Sequence, residues 1–196
     1  FTNALPATTE VNILGYEKNH TNLHVHGLHV SPEAPGDNVM LDIAPGESYR
    51  YEYDLSLQAG STLNFVHGHV HGLAAEQLWG GMLATILVED EIPVLSSYES
   101  HILVLKDITL AGQEPQAHLF MSDYMYGKEG ALVTVNGQVN PVLSIRPGQV
   151  QRWRILNGSN ARFYRIYLEN HLMYLAVQKA LGEEFRALAA RIEKPA

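Results

Sequence analysis

Apolar and polar residues alternate along much of the first ninety positions, the period-two pattern that predicts β-strands. Five segments show it: VNILGY (11–16), TNLHVHGLHV (21–30), ESYRYEYDL (47–55), TLNFVHGHVHG (62–72) and GGMLATILVED (80–90). Turn-forming sequences such as APGES and LQAGS lie between them, and LAAEQLWGG (73–81) predicts a short helix or loop. Short strands at this spacing predict an antiparallel sandwich or barrel.

The strand pattern resumes in the second half after a break. EDEIPVLSSYES (89–100) is acidic, then carries proline and serine, which predicts a linker. Strand-like segments run from HILVLKDITL (101–110) to ARFYRIYLENHLMYLAV (161–177), and Asn136-Gly137 is a strong hairpin signal. This β-rich stretch is short for a complete second sandwich.

The last nineteen residues follow a different period. Leu181, Phe185, Leu188 and Ile192 are spaced by four, three and four positions, with charged residues between them. This spacing predicts an amphipathic helix. The chain is therefore predicted to be all-β, divided into a first domain (1–91), a linker (92–100), a partial second domain (101–177) and a C-terminal helix (178–196).

Composition narrows the possible partners. With 196 residues, 46% of them hydrophobic, the chain can bury a sizeable core. A formal net charge of −8 disfavours nucleic acid. No apolar run approaches the roughly 20 residues of a membrane span, so no membrane association is expected. The chain has no cysteine, which excludes disulfides, thiolate zinc sites and iron–sulfur clusters.

Histidines supply the candidate chemistry. Six of the ten histidines lie in two short segments, as His24, His26 and His29 in one and as His67, His69 and His71 in the other. Residues i and i+2 of a strand point to the same face. If the two strands are neighbours, four or five imidazoles converge, and neutral imidazole is a good metal ligand. These segments predict a metal site.

The residue types in the two motifs do not decide which metal would bind. With no thiolate, and no carboxylate within either motif, copper and zinc are the candidates. A mononuclear zinc hydrolase would use three protein ligands and leave one position for water. His67, His69 and one of His24 or His26 could supply those three ligands.

Longer stretches resemble a known family. TNLHVHGLHVSPEAPGDNVMLDIAPGESYRYEYDL and HGHVHGLAAEQLWGGMLATILVED are similar to the N-terminal cupredoxin domain of bacterial laccase-type multicopper oxidases. The shared order is His-x-His-Gly, Pro-Gly-Glu, His-x-His, Gly-Gly and a final apolar strand. VTVNGQVNPVLSIRPGQVQRWRILNGSNARFYRIYLENH resembles the start of the family's middle domain. The resemblance implies a cupredoxin-like Greek-key β-sandwich over residues 1–91 and a partial second cupredoxin-like domain over 101–177.

The same resemblance implies a set of copper ligands. In that family, eight histidines from the first and last domains hold a trinuclear copper cluster. Carried over by motif, His24 binds the type 2 copper, and His26, His67 and His69 bind the type 3 pair. His29 and His71 have no ligand role there. Asp37 lies near the first motif and has two interpretations, a proton relay beside the cluster or a turn-forming residue after Pro35-Gly36.

The resemblance finally implies a function. The chain would be the copper-binding region of a laccase-like oxidase, contributing half of the trinuclear site. The complete enzyme would oxidise phenolic, amine or metal-ion substrates and reduce O2. The type 1 copper of the family needs a cysteine, and the family's last domain is absent here, so the chain is not expected to complete this reaction alone.

The sequence leaves alternative functions open and indicates which partners to expect. A non-catalytic copper-binding module and a zinc hydrolase on a β scaffold both remain open. Copper ions are the expected cofactor, whereas O2 and a small reducing substrate would take part only if other domains or chains complete the site. A homo-oligomer or a complementing chain is possible, and the family resemblance implies a periplasmic or secreted location.

Overall fold

The fold was analysed in a computed structural model that describes residues 1–89, 93–171, 173, 175–177 and 186–188. Its elements in chain order are β1 (His24–His26), β2 (Leu63–His67), α1 (Ala74–Trp79), β3 (Leu83–Leu87), α2 (Pro93–Ser96), β4 (Glu99–Ile108), β5 (Leu110–Ala111), β6 (Glu114–Pro115), α3 (Met121–Met125), β7 (Leu132–Val135), β8 (Gln151–Asn157), β9 (Leu175–Val177) and β10 (Arg186–Leu188). Strands dominate, which confirms the predicted all-β class. None of the described helices has the length and apolar character that a membrane span requires.

The first sheet carries the histidine segments. Its order is β1-β2-β3, with both pairs antiparallel. Val25 in the middle of β1 is buried, whereas His24 and His26 on either side of it are not, as period-two alternation requires. Gly27 ends β1 with a φ of +96°, and a Cβ there would lie 2.7 Å from Oδ1 of Asn64. A residue with a side chain would therefore be both strained and crowded at this position.

The second sheet has the order β7-β4-β8. The long strand β4 pairs antiparallel with β7 and parallel with β8. After β7, the predicted Asn136-Gly137 turn is present, since both residues have positive φ and Val135 and Gln138 exchange backbone hydrogen bonds. A small hairpin of β5 and β6 follows β4.

Helix α1 links the two halves of the compact unit formed by Phe1–Arg162. Trp79 at its end is 2% exposed and donates from Nε1 to the carbonyl of Gln116 at 2.9 Å. Nζ of Lys106 donates to the carbonyl of Leu78 at 2.6 Å. Residues on both sides of the predicted linker thus belong to one compact unit. The domain boundaries at 91, 100 and 177 stay predictions.

Two predicted strands have other conformations. The segment 11–16 is a tight turn, because Oδ1 of Asn12 accepts from the backbone N–H groups of Leu14 (3.0 Å) and Tyr16 (3.1 Å), and Gly15 has a φ of +85°. A side chain that bonds the neighbouring backbone competes with a strand ladder. The segment 47–55 lies outside the named strands, and its pairing is limited to an isolated antiparallel bridge between Ser48 and Thr2.

The last part of the chain also departs from its sequence pattern. Of the segment 161–177, the residues in a strand are those of β9. In the unit Phe163–Ala196, β10 pairs antiparallel with β9, with Leu188 opposite Leu175. The positions of β10 therefore differ from the predicted helix 178–196, because cross-strand pairing outweighs a local helical period. The other residues of that predicted helix lie outside the described residues.

Candidate metal centre

The register of the first sheet brings the two histidine motifs together. His24 of β1 lies directly opposite His67 of β2, and their ring centroids are 5.2 Å apart. His26 is two residues further along β1, and its ring centroid is 5.4 Å from that of His24. Phe65, opposite His26, stacks on the His26 ring at 4.5 Å. The predicted adjacency of the two strands is therefore present.

Strand β2 ends at His67, so the second motif does not continue as one strand. The chain turns after it, yet the ring of His69 still lies 5.1 Å from that of His24 and 5.9 Å from that of His67. His71 is exposed, and its ring is 6.3 Å from that of His69. Four of the five candidate imidazoles thus converge. The strand pattern of the second segment predicts that His67, His69 and His71 share one strand face, and this is wrong because β2 ends at His67.

The nitrogen atoms are close enough to act as ligands. Nδ1 of His26 and Nε2 of His67 are 3.4 Å apart. Metal–imidazole bonds are about 2.0–2.1 Å long, so two ligands of one ion can be up to about 4.2 Å apart. One nitrogen from each of His24, His26 and His67 lies within 4.8 Å of the other two. That spread suits adjacent ions, or one ion after a small adjustment, and an all-imidazole set suits copper or zinc.

Asp37 orients the first histidine. Its buried carboxylate accepts from Nδ1–H of His24 at 2.7 Å through Oδ2, and from the backbone N–H of Val25 at 2.9 Å through Oδ1. A carboxylate acceptor fixes the imidazole tautomer and directs the lone pair of Nε2 away from itself. The geometry places Asp37 in contact with His24, and both interpretations of this residue, proton relay and turn former, stay predictions.

Gly68 lies between the two ligand candidates of the second motif, and its carbonyl orients the ring of His67. Nδ1–H of His67 donates to the carbonyl of Gly68 at 2.9 Å, which leaves Nε2 as the ligand atom. A Cβ on Gly68 would lie 2.0 Å from Oε1 of Gln77, a buried side chain. Gln77 itself donates to the carbonyl of His20 at 2.6 Å and accepts from the hydroxyl of Thr21 at 2.9 Å. Glycine is favoured at position 68 because the side chain of Gln77, which bonds to Thr21 and to the carbonyl of His20, occupies the space that a Cβ would need.

Two imidazoles of the cluster, those of His26 and His67, have a lowered pKa. Burial is the largest cause that lowers the pKa of His26, and the charges of His24 and His69 lower it further, while Asp37 opposes them. Burial also lowers the pKa of His67 most, and the neighbouring histidines add to this against the bond to Gly68. The neutral form is the one that binds a metal ion.

The other histidines nearby have different surroundings. His20 lies between two carboxylates, with Nδ1 at 2.7 Å from Asp42 and Nε2 at 3.5 Å from Glu17. His29 is exposed, and its backbone N–H donates to Gln58. These contacts agree with the expectation that His29 and His71 do not join the cluster.

Asn22 contacts the second histidine motif, although the histidine pattern alone does not point to it. It is fully buried, and its Oδ1 accepts from the backbone N–H of His69 at 2.7 Å. A signal was present, because a polar residue two positions before His24 shares the strand face of the histidines.

The comparison with protein families also points to the region that contains the histidine cluster. The family model described as multicopper oxidase matches residues 6–92, the stretch that contains both histidine motifs. This region is a multicopper oxidase domain. Its histidine cluster, first sheet and α1 all lie within the matched residues.

Relatives support the assignment over a longer stretch. "Multicopper oxidase mco" of Staphylococcus aureus is 27% identical over 77% of this chain and 33% of its own length. "Cell division protein FtsP" of Gallibacterium anatis is 27% identical over 82% of this chain and 34% of its own length. The crystal structure of a multi-copper oxidase from Pseudomonas thermotolerans superposes with a TM-score of 0.68 at 25% identity, over 87% of this chain and 43% of that one. The chain thus spans about a third of the curated relatives' length, and its β fold is that of the multicopper oxidases.

Proposed function

We propose that this chain is the copper-binding region of a laccase-like multicopper oxidase and that it supplies half of a trinuclear copper site. In this proposal His24 is the ligand of the type 2 copper, and His26, His67 and His69 are ligands of the type 3 pair. The order of the motifs along the chain supports these roles.

The observation that carries the proposal is the convergence of four imidazoles from two segments more than forty residues apart. Three of them bring ligand nitrogens within 4.8 Å of one another. Three of the four rings are half-buried, and the buried Nδ1 of His69 has no hydrogen-bond partner among the described residues, which is unfavourable for folding alone. A metal ion turns the same arrangement into a favourable one, because each nitrogen then has a partner.

Two neighbours prepare the imidazoles for copper. Asp37 holds His24 and the Gly68 carbonyl holds His67, each through Nδ1–H, so that both present Nε2. Both oxygens of Asp37 are engaged in these contacts with His24 and Val25. This favours an orienting role for Asp37 over proton transfer. Copper bound here would supply the reduction of O2 in the complete enzyme.

Oxidation of a reducing substrate belongs to the proposed complete enzyme, since the chain spans about a third of its relatives. The 196 residues contain no cysteine for a type 1 copper. O2, a phenolic, amine or metal-ion reductant, and the other four cluster ligands would therefore be brought together by additional domains or a complementing chain.

Copper titration of the purified chain tests the ligand assignment. Cu2+ is expected to bind the wild type, and His67→Ala with His69→Ala should weaken binding at least tenfold. The matched control is His29→Ala with His71→Ala, which removes two histidines from the same segments and should leave the affinity unchanged. Equal affinity in the two double variants, or a preference for zinc with esterase activity, would refute the copper assignment.

A non-catalytic copper-binding module is the second candidate. The observation that favours it is that one relative of equal identity is named for cell division, not oxidation. Steady oxidation of a phenolic dye by the copper-loaded chain would exclude this candidate. Copper binding without turnover, even after the chain is supplied with the missing domains of an oxidase, would support it.

A further inference from the structure

The imidazoles of the cluster differ in how their positions are fixed. The ring of His24 is held by Asp37 and the ring of His67 by the carbonyl of Gly68. Nδ1 of His69 is buried and has no hydrogen-bond partner among the described residues. His69 also lies beyond the end of β2, so the strand ladder does not hold it either. Its position therefore depends on its backbone contacts.

Asn22 provides that contact. Its Oδ1 accepts from the backbone N–H of His69 at 2.7 Å, and its Nδ2 donates to the carbonyls of Val39 (3.1 Å) and Leu41 (2.7 Å). The side chain is 0% exposed, so all three bonds are shielded from water. One amide thus joins the start of the first histidine segment, the loop 39–41 and the end of the second histidine segment.

We infer that Asn22 is a positioning residue, which sets the distance between the two histidine motifs by holding the backbone of His69. The inference rests on the proposed copper site and deepens it. Asn22 itself is not a ligand, because both of its polar atoms are engaged with the backbone. Buried hydrogen bonds of this kind orient metal ligands, and their loss typically weakens metal binding by 10–100-fold.

A purely structural role is the competing explanation, and the chain contains a matched control for it. Asn3 is also buried, 1% exposed, and makes the same set of bonds to backbone. Its Nδ2 donates to the carbonyls of Asn19 (2.7 Å) and Ile43 (2.8 Å), and its Oδ1 accepts from the N–H of Leu5 at 3.1 Å. Asn3 holds no histidine. Removing either amide should lower stability, but only Asn22 should affect the metal site.

The experiment compares four forms of the chain: wild type, Asn22→Leu, Asn22→Asp and Asn3→Leu. Each is titrated with Cu2+, and amide hydrogen exchange around His69 is measured without metal. Asn22→Leu is expected to bind Cu2+ about tenfold or more weakly and to exchange the His69 amide faster. Asn3→Leu should match the wild type in both. Asn22→Asp keeps an acceptor for the His69 N–H and should restore binding even where it is less stable.

The outcomes separate this inference from the proposed function. No Cu2+ binding by the wild type would overturn both. Binding by the wild type with equal affinity in Asn22→Leu and Asn3→Leu would overturn the role of Asn22 alone. If Asn22→Leu does not fold, Asn22→Asp still decides, because loss of Cu2+ binding in the folded Asp variant contradicts the inference and retention supports it.

Discussion

Two regions of this chain bring titratable groups close together, and they do so in opposite ways. In the histidine cluster, imidazoles of the same kind face one another, with Nδ1 of His26 3.4 Å from Nε2 of His67. In the second sheet, Asp107 of β4 is 0% exposed and faces groups of complementary charge and polarity. Arg162 donates to its carboxylate at 2.9 Å, and the N–H of Gly130 does so at 2.6 Å.

The two regions differ in what stabilises their titratable groups. A buried charge with a cation and N–H donors is stabilised by the chain itself. In the histidine cluster, Nδ1 of His24 and Nδ1 of His67 bond to Asp37 and to the Gly68 carbonyl, whereas Nε2 of His67 faces another imidazole, that of His26. The Asp107 carboxylate therefore has a cation from the chain itself, whereas the cluster of His24, His26, His67 and His69 is the site where we propose that a metal ion binds.

The largest effect is expected at Arg162. Arg162→Ala leaves the carboxylate of Asp107 buried without its cation and should lower the free energy of unfolding by roughly 3 kcal/mol, the low end for a broken buried pair because the guanidinium is partly exposed. Urea unfolding of the metal-free chain measures this. The control is Arg50→Ala, whose exposed pair with Glu52 should contribute less than about 0.5 kcal/mol. Similar effects of the two substitutions would contradict the contrast.

Copper should stabilise the native chain by a comparable amount. A ligand that binds the native state alone raises the free energy of unfolding by about 2.7 kcal/mol when its concentration is 100 times the Kd. Thermal unfolding with and without Cu2+ measures the shift, and a chelator should reverse it. The shift should persist in Arg162→Ala and vanish in His67→Ala with His69→Ala. An unchanged shift in the histidine variant would show that copper binds elsewhere.

A smaller effect is expected at Gly68. Gly68→Ala pushes Gln77 from its bonds to Thr21 and His20 and should lower the free energy of unfolding by roughly 1–2 kcal/mol. In a Gln77→Ala background the space is open, so the same substitution should be less costly. Additive effects in this double-mutant cycle would disprove the close approach of Gly68 and Gln77.

The smallest effect expected is a change in stability at low pH that depends on the Asp107 carboxylate. Burial raises the pKa of Asp107, but the bonds from Gly130 and Arg162 outweigh burial and hold the pKa below its usual value. Stability from this carboxylate is thus present above about pH 4 and is lost as the pH falls through the lowered value. The stability advantage of the wild type over Asp107→Asn should be greater at about pH 6 than at about pH 3. A pH-independent difference would be inconsistent with this ionised state.

The sequence predicted the convergence of the histidines better than it predicted the strands. Two His-x-His motifs on alternating segments were enough to place His24, His26 and His67 on one side of a sheet. The same alternation failed for residues 11–16, because the Asn12 side chain bonds the nearby backbone and closes a turn. It also failed at His71, because β2 ends before that residue. Local patterns report the face of a residue but not where a ladder stops.

The sequence pattern did not predict which distant residues contact the histidine segments. Asp37 and Asn22 contact the histidine segments through bonds that span 13 and 47 positions. Asn22 gave a weak signal through its position two residues before His24, and Asp37 through its proximity to the first motif. Gln77 gave none, since its contact with Gly68 depends on how α1 packs behind the second motif.

The most direct test of the central claim is to count the imidazoles bound to copper in the loaded chain. Electron spin-echo modulation from the remote ring nitrogens provides this count. The account predicts more than one imidazole per copper in the wild type, unchanged in His29→Ala with His71→Ala and reduced in His67→Ala with His69→Ala. Copper without imidazole modulation, or a signal unaffected by loss of His67 and His69, would contradict the claim.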